Sequence, residues 1–255
     1  MSITPETPVG VAVAERLGRA RVFDRLGIDY CCGGMTPLAE ACGLRSLDVA
    51  RVLAEIADCD ARDAVDDGEI DDYAAIPLGE LADHIVATHH AYLRRELPRL
   101  SGLIEKVLAA HGERHAELED LRDTFAGLRQ ELESHLMKEE RVLFPMVTQL
   151  EATGASPPGY PASLECPLRV MLHEHETAGA ALERIVMLTG NFTTPADGCA
   201  TFRALYEGLA DFGADLRRHI HKENNILFPR AAALESSSGR AAYPPADPLR
   251  EEGLR

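Results

Sequence analysis

Two stretches of this 255-residue chain pair an imidazole with a carboxylate at helical spacing. In Leu132–Met146 (LESHLMKEERVLFPM) His135 is followed by Glu139, and in Leu216–Arg230 (LRRHIHKENNILFPR) His219 is followed by Glu223. Residues four apart lie on one helix face, so each pair can offer a nitrogen and an oxygen ligand to the same ion. The stretches align without a gap at an offset of 84, and in each a Phe-Pro follows the Glu by five residues. Upstream, His90 precedes His135 by 45 residues and His175 precedes His219 by 44. Such repetition predicts two helical hairpins of similar design, related by an approximate two-fold, with a site between them.

Four long helices must position these groups. From Pro77 to about Ala232 the apolar residues recur every three or four positions, as one face of a helix requires. The first stripe runs Val86, His90, Leu93, Leu97, Ile104, Leu108, opened by Pro77 and stopped near Gly112. The second includes Phe125, Leu132, His135, Glu139 and Met146; the third Leu168, Met171, His175 and Leu182; the fourth Phe212, Leu216, His219, Glu223 and Ile226. A buried unpaired carboxylate costs several kcal/mol, on the order of a whole domain's margin of stability. No Lys or Arg shares the stripes with Glu139 and Glu223, so metal is the simplest compensation. Four His and two Glu exceed one structural zinc and suit two metals, each with two His and both Glu bridging. An N/O set of this kind favours iron or manganese.

The other histidines fall out of phase. His173 and His221 are about 200° round their helices from His175 and His219, and His84 and His89 are displaced from His90. His111 and His115 have a metal-like spacing but flank Gly112. All six read as surface residues or as neighbours standing behind the ligands.

Composition narrows the function. The charge of −16, from 26 Lys+Arg against 42 Asp+Glu, argues against nucleic acid or an anionic membrane as a partner. No apolar run reaches the length of a span, no leader pattern opens the chain, and six Cys are too few for a disulfide scaffold, which suits the cytoplasm. His173-Glu174-His175-Glu176-Thr177 is not the His-Glu-x-x-His of a metalloprotease. The domain reading is a small helical Cys-Cys domain (1–58), an acidic linker (59–76), the four-helix bundle (77–232) and a mobile tail (233–255). The linker rests on the run Asp58–Asp72, with eight acidic residues against one Arg.

With IDYCCGG (28–34), SHLMKEERVLFP (134–145), EHETAG (174–179) and HIHKENNILFP (219–229), the chain resembles the hemerythrin-like di-iron proteins that repair iron–sulfur clusters, also called regulators of cell morphogenesis and NO signalling. The resemblance covers about residues 8–232 and implies an all-α fold, a hemerythrin-like four-helix bundle preceded by a small helical domain. It places iron ligands on His90, His135, Glu139, His175, His219 and Glu223, the six that helical phase selects. It further implies two iron ions with an oxo or hydroxo bridge, Glu139 and Glu223 bridging, a cytoplasmic location and frequent homodimerisation. The clients implied are iron–sulfur proteins damaged by nitrosative or oxidative stress, and the small ligands are NO or O2.

Cys31 and Cys32 stand where a helical pattern ends, beside Gly33 and Gly34. Adjacent cysteines close a strained disulfide, so the functional reading is a pair of solvent-reachable thiols that exchange with a disulfide, take up NO or bind iron in transit. Three functions are open: repair by iron donation or NO handling, an O2/NO sensor or carrier, and an NO or peroxide reductase.

Overall fold

The structure, a computed structural model, describes residues 3–63, 73 and 75–237. The N-terminal unit contains α1 (Val9–Glu15), a 3-10 turn (Leu17–Arg19), α2 (Ala20–Leu26), α3 (Leu38–Leu44) and α4 (Val49–Asp63). Pro8 and Pro37 each precede a helix in extended conformation. The segments pair, so that Val9 donates to Thr36 O and Leu38 to Thr7 O at 3.0 Å, satisfying two amides that the helix starts leave open. Asp48 caps α4 through the amides of Ala50 and Arg51. This helix passes through Asp58 and ends at Asp63, so the acidic run begins as helix rather than as solvated linker. The reason is Arg19, whose buried guanidinium needs anions and takes both oxygens of Asp60 at 2.9 and 2.7 Å. Residues 64–72 and 74 of the linker and 238–255 of the tail lie outside the described residues.

The bundle has four rods. The first is α5 (Leu78–Ile85), a π turn (Val86–His90) and α6 (Ala91–His111). The second is α7 (Glu117–Lys138), a π turn (Glu139–Leu143) and α8 (Phe144–Thr153). The third is α9 (Glu165–Leu188), and the fourth is α10 (Ala200–Lys222), a π turn (Glu223–Leu227) and α11 (Phe228–Ser237). Among the described residues the elements are all helical apart from the bridge between Pro8 and Pro37. The fold is therefore the all-α one expected, and no helix among the described residues is long and apolar enough to cross a membrane.

The repeat reaches further than its motifs. Glu151 on α8 accepts the first amides of α5, from Leu78 at 2.8 Å and Gly79 at 3.0 Å. Glu235 on α11, 84 residues later, accepts Leu164 N at 3.0 Å at the start of α9. In each hairpin the last helix thus puts an anion on the positive end of the first. Two apolar layers fill the bundle, one around Leu93, Leu136 and Leu216, the other around Ile85, Phe144 and Phe228, and the candidate ligands stand at or beside the boundary between them along each rod.

The N-terminal unit docks on the bundle and shares its core, with Phe23 and Tyr30 in the same apolar cluster as Leu209 and Leu216. Arg217 donates to Asp24 at 2.6 Å across this interface, and both side chains are largely buried. Burial pushes the Asp24 carboxyl up, with Arg217 opposing it. Arg217→Met leaves that carboxylate without its guanidinium, a loss of roughly 1.5–3 kcal/mol for a charged hydrogen bond. Amides of residues 24–34 should exchange with solvent about tenfold faster or more, while those of α7 and α9 hold their protection. Unchanged exchange at 24–34 would show that this ion pair does not hold the unit in place.

Candidate metal centre

All three π turns occur at predicted ligands. Each closes a ring one residue wider than an α turn: Ala91 N–H on Val86 O, Phe144 on Glu139 O and Phe228 on Glu223 O. Such bulges collect at functional sites because they turn side chains that regular winding would misdirect. Two are announced by Phe-Pro, since Pro145 and Pro229 have no N–H to give and their rings crowd the carbonyl four residues back. At the first of these, the freed carbonyl of Arg141 accepts the Tyr160 hydroxyl at 3.2 Å. The turn before His90 has no proline, and nothing in VATHH signals it.

The six predicted residues converge. His90, His135, His175, His219, Glu139 and Glu223 are all 2% exposed or less. They form two overlapping groups, His90 with His219 and His135 with His175, which share both carboxylates, and within each group the candidate ligand atoms lie within 4.8 Å of one another. The paired Nε2 atoms are 3.3 Å apart for His90 and His219, and 3.1 Å for His135 and His175. Glu139 Oε2 is 3.3 Å from the Nε2 of both His90 and His135. Glu223 Oε1 is 3.0 Å from His219 Nε2, and its Oε2 is 3.1 Å from His175 Nε2. Neighbouring ligands of one ion with bonds of about 2.1 Å are separated by about 3 Å, so these spacings fit.

Protonation patterns agree. His90 Nδ1 faces Glu140 Oε1 at 2.7 Å, His135 Nδ1 faces Glu174 Oε2 at 2.9 Å, and His175 Nδ1 faces Asn224 Oδ1 at 2.7 Å. Each acceptor draws the ring proton to the outer nitrogen and turns the Nε2 lone pair inward, as metal-bound imidazoles require. Glu140 and Asn224 stand 84 apart, each directly after a ligand Glu, and each holds the histidine of its own hairpin. The Phe of each Phe-Pro covers the same histidine, Phe144 stacking on His90 at 5.7 Å and Phe228 on His175 at 5.8 Å. The sequence reading missed these supporting residues, although the 84-residue offset could have found them in pairs.

A cation fits the electrostatics. Both oxygens of Glu139 and Oε2 of Glu223 are buried without a hydrogen-bond partner among the described residues. Burial works to lower the His135 pKa, yet Glu139 and its neighbours drive it up to about 10. Burial likewise works to raise Glu223, and the facing His219 and His175 hold it well below the usual carboxylate range. A field that stabilises positive charge this strongly, lined by inward lone pairs, suits divalent metal.

The two-fold breaks beside His219. Where Glu174 holds His135 and pairs with Lys138, the corresponding His89 stacks on His219 at 5.5 Å and meets Lys222 Nζ at 3.1 Å. His89 is buried, with Nδ1 on Asp215 at 3.0 Å, and stands behind a ligand as one of the two readings allowed. His173 is exposed. His221 faces away from the bundle centre as its phase demands, yet it is fully buried, because the N-terminal unit covers that side and sets Tyr30 against it at 5.5 Å.

The Cys-Cys expectation needs correction. Cys31 is buried and not solvent-reachable, and only Cys32 is partly exposed. The Asp29 carboxylate gathers the amides of Cys31, Cys32 and Gly33 and folds the loop inward. Both thiols are free with their sulfurs 3.8 Å apart, and Cys32 Sγ lies 3.5 Å from the carbonyl of the candidate ligand His175. Asn224 joins the loop to the centre: its Oδ1 accepts from His175 and its Nδ2 donates to Cys31 O at 3.2 Å.

Comparison with known proteins follows this division. The Hemerythrin HHE cation binding domain matches residues 81–231, and a domain of unknown function, ScdA_N, matches residues 5–60. The iron-sulfur cluster repair protein YtfE of Musicola paradisiaca is 40% identical over 210 residues, 82% of this chain and 89% of the relative. The protein of that name from Citrobacter koseri is 37% identical over 230 residues, 90% and 98% of the two chains. The chain belongs to the hemerythrin-like iron–sulfur cluster repair family. For a member of this family, Glu139→Gln or Glu223→Gln should cut bound iron per chain by half or more, measured by plasma mass spectrometry. Glu174→Gln should weaken retention roughly 10- to 100-fold by releasing His135. His221→Phe should leave iron content intact, and equal losses in all four variants would contradict the ligand assignment.

Proposed function

We propose that this protein repairs iron–sulfur clusters damaged by nitrosative or oxidative stress, using a pair of iron ions. His90 and His219 would hold one ion and His135 and His175 the other, with Glu139 and Glu223 bridging. What supports two ions is that each carboxylate faces one imidazole of each pair. When bound, the irons supply a redox-active pair of Lewis acids able to take NO or O2. The chain's own contribution is orientation and shielding. Glu140, Glu174 and Asn224 hold the imidazoles, and Phe144 and Phe228 cover two of them.

The observation that carries a repair role is the contact of the Cys31-Cys32 loop with the ligand shell through Asn224 and the His175 carbonyl. A thiol pair one side chain from the irons is placed to receive iron or NO on its way to or from a damaged protein. On this reading the clients are damaged iron–sulfur proteins in the cytoplasm, and because Cys31 is buried, transfer requires the loop to open or Cys32 to act first. Family relatives named for cluster repair cover nearly the whole chain, which favours repair over a gas sensor or a reductase.

The test is restoration of activity to an iron–sulfur enzyme inactivated by NO. Iron-loaded protein should restore it, and Cys31→Ser/Cys32→Ser should slow restoration about tenfold or more while retaining iron. Restoration equal to that by free ferrous salt would overturn the proposal, and full activity in the double variant would remove the thiols from it.

A further inference from the structure

A second group of ligating side chains stands at the other end of α6, 21 residues and about 30 Å of helix beyond His90. His111 closes α6, and the chain keeps helical hydrogen bonding past Gly112, with His115 N–H on His111 O at 3.0 Å. The imidazoles therefore stay on one face despite the glycine. Asp197 reaches them from the loop before α10, and ligand atoms of His111, His115 and Asp197 lie within 4.8 Å of one another. His115 Nε2 is 3.1 Å from Asp197 Oδ1, a separation suited to two ligands of one ion. Its Nδ1 faces Glu117 Oε1 at 3.0 Å, the outer carboxylate that orients metal-binding imidazoles.

We propose that His111, His115 and Asp197 form a second metal site that takes one divalent borderline cation, zinc foremost. Two imidazoles and a carboxylate are the three protein ligands of an open zinc site, with solvent completing four-coordination. Arg114 marks the place. Its exposed guanidinium is 3.3 Å from His111 Nδ1 and 3.4 Å from Asp197, a positive charge seated on the lone pair and the carboxylate that the ion would take. With 62% of its side chain exposed, it can swing into solvent when a smaller cation enters. The ion would tie the α6–α7 connection to the α9–α10 connection, closing the bundle end remote from the irons.

Full-length, iron-loaded protein carrying Cys31→Ser/Cys32→Ser, which removes the thiol pair beside the bundle centre, is dialysed against zinc chloride, and zinc and iron are counted together. One zinc per chain should be retained with iron unchanged. His115→Ala and Asp197→Asn should weaken retention by more than roughly tenfold, and Glu117→Gln by roughly tenfold. Arg114→Ala should tighten binding, which a purely structural salt bridge would not do. The proposal is overturned by no retained zinc, by iron lost mole for mole as zinc enters, or by retention undiminished in His115→Ala and Asp197→Asn. Iron content and far-ultraviolet circular dichroism identify variants that misfold, and the remaining substitutions then decide.

Discussion

Glu139 and Glu223 sit without solvent contact at the centre of a helical bundle, and both leave oxygens without a hydrogen-bond partner among the described residues. Two carboxylates in such surroundings repel each other and cannot both stay ionised without positive charge nearby. Much of the architecture answers that requirement. Four imidazoles face the carboxylates at about 3 Å, three are held by an outer oxygen on Nδ1, and π turns set the angle at which His90, Glu139 and Glu223 leave their helices. The apolar layers above and below exclude water, which strengthens every interaction between them.

The approximate two-fold extends from chemistry into construction. The same offset relates the ligand pairs, the π turns with their Phe-Pro, the ring-covering phenylalanines and the glutamates that cap the first helix of each hairpin. Where the symmetry fails, function can differ. The Glu174 flank is anionic and pairs with Lys138, whereas the His89 flank is a network of His84, His89, Lys222 and Asp215. The Cys-Cys loop reaches the second hairpin through Asn224 and the His175 carbonyl, so the two candidate ligand groups have different neighbours. A site with two inequivalent halves can treat an incoming ligand asymmetrically even when its donor set is symmetric.

The N-terminal unit belongs to the core of this protein rather than hanging from it. Tyr30 shares an apolar cluster with the bundle, Asp24 pairs with Arg217, and Asn224 and Asn225 hold the carbonyls of the cysteine loop. Thiol chemistry at Cys31 is consequently coupled to how well this interface holds, because the same contacts that bury the sulfur anchor the loop.

Sequence alone determined the helical class, the four rods and the six residues that converge as candidate ligands. Helical phase is a local property, and a polar residue in an apolar stripe has to be explained wherever the stripe meets its partners. The repeat strengthened this because each half was read twice. Tertiary structure decided what depends on which surfaces meet. His221 and Cys31 look accessible in one dimension and are buried because one unit lies on the other. Asp60 looks like part of a solvated run and instead neutralises Arg19. His111 and His115 look separated by Gly112, yet the backbone continues its turn and Asp197 arrives from a loop 82 residues away. Such contacts lie between residues far apart in sequence, where periodicity carries no information and only the packed chain brings the partners together.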